Sequence, residues 1–216
     1  DPVKAALIAQ NIGADNITAH LREDRRHISD IDIKKLMQKL RIPLNLEMAP
    51  TKEMLNIALN LNLKRICLVP EKRKEITTEG GLNLKYNLVL IKKIIQRLKK
   101  SKIRVSLFIE PNIKDIKITK KINADCVEIH VGKFCILHSK KKNTKKEFEK
   151  IKKSIHFANE IGLEAHAGHG ITFSSAKILS RIKGIKEFNI GHFLIAESIF
   201  IGMKKCIKIF KKILKK

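Results

Sequence analysis

Short apolar runs alternate along this chain with longer stretches in which apolar residues recur at helical spacing. The clearest helical stripe is formed by Leu84, Leu88, Ile91, Ile95 and Leu98, which are separated by 4, 3, 4 and 3 positions. The short runs do not alternate strictly between apolar and polar residues, which is typical of strands that are buried on both faces. We predict seven such strands, at residues 16–21, 44–48, 64–69, 104–109, 125–132, 163–170 and 187–192.

Regular alternation of strands and helices predicts a parallel sheet with helices packed outside it. An open doubly wound sheet and a closed barrel both satisfy this pattern. No GxGxxG follows an early predicted strand, so the pattern does not support a dinucleotide-binding sheet. The chain opens on a helix, with Asp1 as its N-cap and Pro2 in its first turn. We therefore predict an α/β (β/α)8 TIM barrel, a single domain over residues 1–216, whose first strand lies upstream of Asp1 and whose closing basic helix spans about 203–216.

The composition adds a strong positive charge to this picture. The 216 residues include 46 Lys plus Arg against 21 Asp plus Glu, a formal net charge of +25. Such an excess is compatible with a nucleic-acid partner, because basic surfaces displace counterions from phosphates. Aromatic residues make up only 5% of the chain, however, which leaves few platforms for stacking bases. Since the lysines are scattered along nearly every helical stretch, we interpret them as a solvated surface and do not expect a nucleic-acid partner.

The cysteines and the apolar runs bear on the compartment. The four cysteines show no CxxC pair and no framework spacing, which favours reduced thiols in a cytoplasmic protein. No apolar run reaches the length of a membrane span, and no signal peptide is visible. The basic amphipathic segment at 203–216 could lie on a membrane surface, but we favour packing of its apolar stripe against the barrel.

Titratable residues follow most of the predicted strands. In a barrel, the residues just past the carboxyl ends of the strands face one common mouth. At these positions lie His20, Arg22, Glu47, Glu71, Lys72, Glu110, Glu128, His130, His166, His169, Asn189 and His192. A single histidine at a strand end is often only a hydrogen-bonded rim residue. The concentration of so many in one concave site instead suits acid–base catalysis near neutral pH.

Two further patterns indicate phosphate recognition. The segment LREDRRH places Arg22 and His27 beside other cations, and guanidinium groups suit phosphate oxygens. Glycines accompany Thr77 in ITTEGG and the histidines in AGHG and NIGH, ahead of the last helices, where barrels often bind phosphate. We expect an anionic, doubly phosphorylated substrate. Neither an HxH pair nor an HExxH motif is present, so we expect no metal.

Seven segments carry a specific resemblance to a known family. NITAHLREDRRHI, NLEMAPTKEML, CLVPEKRKEITTEGGL, VSLFIEP, VEIHVG, AGHGIT and NIGHFLI closely resemble the pyridoxine 5'-phosphate synthase family, in order and over the whole chain. The resemblance implies a cytoplasmic (β/α)8 barrel that assembles as an octamer and uses no cofactor or metal. It implies an enzyme that condenses 3-amino-2-oxopropyl phosphate with 1-deoxy-D-xylulose 5-phosphate to give pyridoxine 5'-phosphate, phosphate and water.

The resemblance also implies roles for single residues. His20 corresponds to a proton acceptor, Glu47 corresponds to a second acid–base residue, and His169 corresponds to the proton donor. The substrate contacts correspond to Arg22, His27, Thr77, Gly170, Gly191 and His192.

Some parts of the chain depart from the family pattern. The family's first strand, which resembles VNIDHVATLR, has no counterpart here, and His166 stands where relatives commonly have Asn. Residues 133–146 match poorly, and we predict a basic loop there that could act as a lid. Two alternatives therefore stay open beside the synthase: a basic nucleic-acid-associated barrel and a degenerate, non-catalytic one.

Overall fold

Seven parallel strands form one curled sheet in chain order. The computed structural model describes residues 1–71 and 80–215. Its strands are β1 Ile17–His20, β2 Leu44–Met48, β3 Arg65–Leu68, β4 Arg104–Ile109, β5 Cys126–His130, β6 Glu164–Gly168 and β7 Ile185–Asn189. Each strand pairs in parallel with the next, so the predicted α/β barrel architecture with seven visible strands is confirmed.

Ten helices connect and flank these strands within the described residues. They are α1 Pro2–Ile12, α2 Asp30–Lys39, α3 Lys52–Asn60, α4 Leu84–Lys100, α5 Ile113–Lys121, α6 Gly132–Ser139, α7 Lys145–Glu160, α8 Phe173–Leu179, α9 His192–Ile201 and α10 Met203–Leu214. Side-chain caps fix several starts, since Asp1, Ser29, Thr51 and Thr172 each accept a hydrogen bond from a backbone N–H in the first turn. Gly202, with φ of 79°, separates α9 from α10.

The hydrophobic core lies between the sheet and the helices. Successive side chains of a strand point to opposite faces. The outward positions are apolar and join one large buried cluster, which includes Leu46, Ile66, Val105, Val127 and Ala165. The inward positions are largely polar, and they include Thr18, Asn45, Cys67, Ser106, Cys126, Glu128 and His166. The centre of the barrel is therefore polar. Titratable side chains extend from this polar layer towards both ends of the barrel.

The predicted basic loop at 133–146 is wrong, because residues 133–139 belong to α6 and residues 145–146 begin α7. Phe134 and Cys135 of α6 are buried, and the ring of Phe134 packs 6.1 Å from that of Phe148 in α7. These apolar contacts hold α6 in place, so the segment is not a free lid. Within 133–146, only residues 140–144 connect the two helices.

The closing helix α10 packs as predicted. Cys206, Ile207 and Phe210 are buried, and the Phe210 ring lies 4.6 Å from Phe173 and 6.0 Å from Phe193. The apolar stripe thus contacts α8 and α9. No helix in the described residues is long and apolar enough to cross a membrane.

The two edge strands of the sheet, β1 and β7, face each other. The Thr18 hydroxyl of β1 donates a hydrogen bond to Asn189 Oδ1 of β7 at 3.1 Å. A cavity of about 1320 Å³ extends from the carboxyl ends of the strands into the space between these edges, where α1 and α10 also line it. The eighth strand expected upstream of Asp1 stays a prediction.

Candidate active site

The large cavity opens at the carboxyl ends of the strands, where barrel sites are built. It is lined by the predicted catalytic residues His20, Glu47 and His169 and by the predicted binding residues Arg22, His27, Gly170, Gly191 and His192. Thr77 lies outside the described residues. Glu128, Asn189 and Phe108 line the same cavity. The fold therefore brings together residues that are far apart in the sequence.

His20 and Glu47 are neighbours because β1 and β2 pair in register at this point. His20 Nδ1 lies 4.0 Å from Glu47 Oε2, and His20 Nε2 lies 3.6 Å from Glu71 Oε2. Burial, followed by the charges of Arg22 and His27, lowers the pKa of His20 to about 4. His20 is therefore neutral at pH 7 and able to accept a proton.

Glu47 ends β2 and faces the cavity. Burial raises the pKa of Glu47 to about 7. A carboxyl group with this pKa exchanges protons readily near neutral pH, because both of its forms are populated.

Glu128 is a second buried carboxyl group in the barrel centre. Burial, followed by the charge of Glu47, raises the pKa of Glu128 well above its usual range, which favours the protonated form of this carboxyl group. Its Oε2 accepts a hydrogen bond from Asn189 Nδ2 at 2.7 Å and faces the Cys67 thiol at 3.8 Å. These two contacts fix the orientation of the carboxyl group. A Cβ on Gly168 would lie 1.9 Å from Oε1, so only glycine fits beneath it.

His169 follows β6 with a positive φ of 79°, and Gly170 follows with φ of 75°. This turn points the His169 ring into the mouth, where its centroid lies 4.9 Å from that of His130. His130 Nδ1 lies 2.7 Å from Glu110 Oε1. Burial, followed by the charges of His130 and His192, lowers the pKa of His169. The ring is thus held in contact with a second, carboxylate-oriented imidazole.

The loop after β1 arranges its charges as ion pairs. The buried Arg22 guanidinium lies 3.2 Å from Asp24 and 3.6 Å from Glu71. Hydrogen bonds from Arg26 and Arg22 hold the pKa of Asp24 far below its ordinary value. Arg25 instead bridges Asp30 and Glu53, at 2.9 and 2.7 Å, which ties the loop to α2 and α3. Arg22 therefore faces the cavity, while Arg25 stabilises the loop.

Backbone donors surround the last part of the mouth. Gly191 is the N-cap of α9 and leaves the first turn of this helix without a side-chain cap. N–H groups at a helix start attract anions, and Gly191 and His192 both line the cavity. This end of the mouth is thus suited to a phosphate group.

Comparison with known proteins assigns the family. The family model described as "Pyridoxal phosphate biosynthesis protein PdxJ" matches residues 1–216. The chain is 52% identical to the pyridoxine 5'-phosphate synthase of Pelagibacter ubique (strain HTCC1062), over 100% of this chain and 90% of that protein. It is 48% identical to the pyridoxine 5'-phosphate synthase of Sulfurihydrogenibium sp. (strain YO3AOP1), over 99% of this chain and 88% of that protein.

The chain belongs to the pyridoxine 5'-phosphate synthase family. It is accordingly classed with biosynthetic ring-closing enzymes, as the resemblance implied.

Similarity to solved structures supports the fold of this chain and nothing further. A chain described as "Native KDPGal structure" superposes with a TM-score of 0.68 at 11% identity, over 99% of this chain and 88% of that chain. A mutant tryptophan synthase alpha-subunit from Pyrococcus furiosus gives a TM-score of 0.63 at 12% identity, over 97% of this chain and 90% of that chain.

Sequence reasoning missed some functional features of this family member. Gly132 belongs to no recognisable motif in the sequence. In the structure, however, a Cβ at this position would lie 2.5 Å from His130 Nε2 and 2.8 Å from His169 Cδ2. Glu128 lies near the end of a predicted strand, but the sequence does not indicate its role in the site. Only the packing across the barrel relates Glu128 to Asn189, which lies 61 residues away.

Proposed function

We propose that this chain condenses 3-amino-2-oxopropyl phosphate with 1-deoxy-D-xylulose 5-phosphate to form pyridoxine 5'-phosphate, releasing phosphate and water. The proposal rests on family membership together with one observation about the site. A single cavity of about 1320 Å³ contains a neutral His20, a Glu47 with a pKa of about 7 and His169. Joining an amine to a ketone, losing phosphate and closing a ring need several proton transfers in sequence.

His20 and Glu47 are the proton acceptors in this proposal. The neutral His20 takes a proton from the attacking amine as the carbinolamine forms. Glu47 removes a proton from carbon when the substrate loses phosphate, and returns it to a departing hydroxyl group, so that water leaves. Both groups sit at the mouth end of paired strands, which keeps them rigid relative to each other.

His169 is the proposed proton donor. Burial, followed by the charges of His130 and His192, lowers its pKa. A phosphate dianion bound beside these rings raises that pKa again, because a nearby negative charge favours the protonated imidazole. Substrate binding therefore favours the protonated imidazole, which takes its proton from water and then donates it to the departing group.

The phosphate groups are assigned to the two basic sides of the mouth. Arg22 and His27 bind one phosphate after β1. Gly170, Gly191 and His192 bind the other at the starts of the last helices, and Thr77 is a proposed further contact. The chemistry needs no metal and no organic cofactor.

Assembly and location are part of the same proposal. We expect a homo-oligomer, as an octamer, and a cytoplasmic location. Ile199 and Phe200 of α9 are 79% and 82% exposed, which gives an apolar surface for contact between copies. The four cysteines are free thiols, in keeping with a reducing compartment. Light scattering on the purified chain tests the assembly.

The decisive experiment supplies both phosphorylated substrates to the purified chain and detects pyridoxine 5'-phosphate by mass. We expect product from the wild type and a loss of at least about 100-fold with His169→Ala. His156→Ala is the matched control, because His156 is exposed on α7. A sample that melts cooperatively but makes no product would overturn the proposal and favour the degenerate barrel.

The nucleic-acid alternative is supported by the net charge of +25 alone. It predicts DNA or RNA affinity that collapses steeply with salt. We expect only weak binding without sequence preference, because the lysines lie on many helices.

A further inference from the structure

A second cluster of potential ligands lies at the opposite end of the barrel from the mouth. Cys126 opens β5, and Glu164 opens β6 directly beside it in the parallel register. His166 follows two residues later on β6. The donor atoms of these three side chains all lie within 4.8 Å of one another. This end is formed by the amino ends of the strands, so Cys126 and Glu164 lie away from His20, Glu47 and His169, whereas His166 pairs in register with Glu128 in the barrel centre.

Strand geometry explains why the three side chains converge. Residues two apart on a strand point to the same face, so Glu164 and His166 both face the barrel interior. Cys126 lies on the same face of the neighbouring strand and is 1% exposed, and His166 is 6% exposed. The Glu164 side chain is 38% exposed. The cluster is therefore held by buried, rigid positions and remains open to solvent through Glu164.

We infer that Cys126, Glu164 and His166 bind one divalent cation of the Zn²⁺ type. A thiolate, an imidazole and a carboxylate are the ligands that zinc takes in proteins, normally four in a tetrahedral arrangement. Water reaches the cluster along the exposed side of Glu164 and supplies the fourth ligand.

Glu187 lies behind the histidine of this site, within ion-pair distance of its ring. The Nε2 atom of His166 lies 2.8 Å from Glu164 Oε1, on the side of the proposed ligands. Its Nδ1 atom lies 3.8 Å from Glu187 Oε1 on β7. A carboxylate behind a ligating histidine holds the ring and selects the nitrogen that faces the metal. Nε2 is therefore the ligating atom.

Arg104 is the cation that a metal must replace. Its guanidinium lies 2.7 Å from Glu164 Oε1 and also bonds to the Cys126 thiol. The Arg104 side chain is 39% exposed, so it can turn into solvent. Binding then exchanges one guanidinium charge for the metal and releases the thiol proton. Because the metal binds the thiolate form of Cys126, affinity increases with pH.

Metal titration of the full chain tests the site. The protein carries no affinity tag, is stripped with a chelator and is kept reduced by a phosphine. We expect one equivalent of Zn²⁺ by calorimetry and, with Co²⁺, a thiolate-to-cobalt charge-transfer band. Cys126→Ser and His166→Asn abolish the band. Cys206→Ser and His156→Asn, which change the same residue types elsewhere, retain it.

Two neighbouring variants make the test sharper. Glu187→Gln leaves the ligands in place and weakens binding by about tenfold, through loss of histidine orientation. Arg104→Gln removes the competing cation and tightens binding several-fold. The inference is overturned if the folded wild type takes up no metal. It is also overturned if uptake survives Cys126→Ser and His166→Asn but is lost in His169→Asn, which would place the metal among the histidines of the mouth.

Discussion

Glu47 shows how burial at one residue links protonation to stability. Its pKa is raised from 4.5 to about 7, so the folded protein holds this proton more firmly than the unfolded chain does. The free energy of unfolding that depends on Glu47 therefore falls as the pH rises from about 4.5 to 7.

Glu47→Gln removes this dependence, because glutamine does not titrate. We expect the variant to gain up to about 3 kcal/mol over the wild type at pH 8 and little at pH 4, although it loses activity. Urea unfolding at several pH values measures the difference. Because the pKa of His20 is lowered, its contribution to the free energy of unfolding changes with pH in the opposite direction. This contribution cancels in the comparison, since the wild type and the variant both contain His20. Glu160→Gln, at the exposed end of α7, serves as control, and equal shifts in both variants would contradict the explanation.

Asn189 connects β1 to Glu128, and both Asn189 and Glu128 line the cavity. Asn189 accepts a hydrogen bond from Thr18 and donates one to Glu128 Oε2, which orients the carboxyl group. Asn189→Ala should lower kcat by roughly tenfold or more and leave KM little changed, because Glu128 loses its orientation.

Steady-state kinetics and their pH profile check this prediction. Asn87→Ala, exposed on α4, should leave both kinetic constants unchanged. Thr18→Ser should retain activity that Thr18→Val loses. If Asn189→Ala lowers only the melting temperature, Asn189 has no effect on the reaction.

At the level of elements, the histidines of the mouth restrict which residue can stand at the start of α6. Gly132 packs against the rings of His130 and His169, with no room for a Cβ. Gly132→Ala should displace one of these rings and reduce turnover by at least about tenfold, at a cost in stability of about 1–3 kcal/mol. Activity assays together with thermal melts test this expectation.

Ser139→Ala, exposed at the end of the same helix, is the control for helix stability. Wild-type activity in Gly132→Ala would show that the two rings can adjust.

Elements were predictable from the sequence where their patterns were local. The stripe from Leu84 to Leu98 and the cap at Ser29 depend on residues within a few positions. The same reasoning failed at α6, because its apolar residues form one short run, Phe134 to Leu137, which does not show a helical period. The burial of Phe134 depends on its contact with Phe148 of α7, which local spacing does not contain.

At the scale of the whole molecule, the sheet has two edges. The central strands β3, β4 and β5 each pair on both sides, whereas β1 and β7 each pair on one side. Backbone amides in β1 and β7 should therefore exchange with solvent faster than those of β4.

Hydrogen exchange followed by mass spectrometry measures this gradient. The helices that pack outside each strand provide an internal reference for global unfolding. Equal protection of β1, β4 and β7 would mean that another segment or a second copy covers the two edges.

The sequence by itself determined the order of strands and helices. It also determined which residues lie at the mouth, because His20, Glu47 and His169 stand at or just after the ends of predicted strands. These features follow from local periodicity and from the rule that parallel strands end at one edge. The tertiary structure alone decided that Glu128 meets Asn189, that Gly132 supports two histidines and that Cys126 faces His166. Such contacts join residues dozens of positions apart, so they exist only once the sheet has curled around its polar centre.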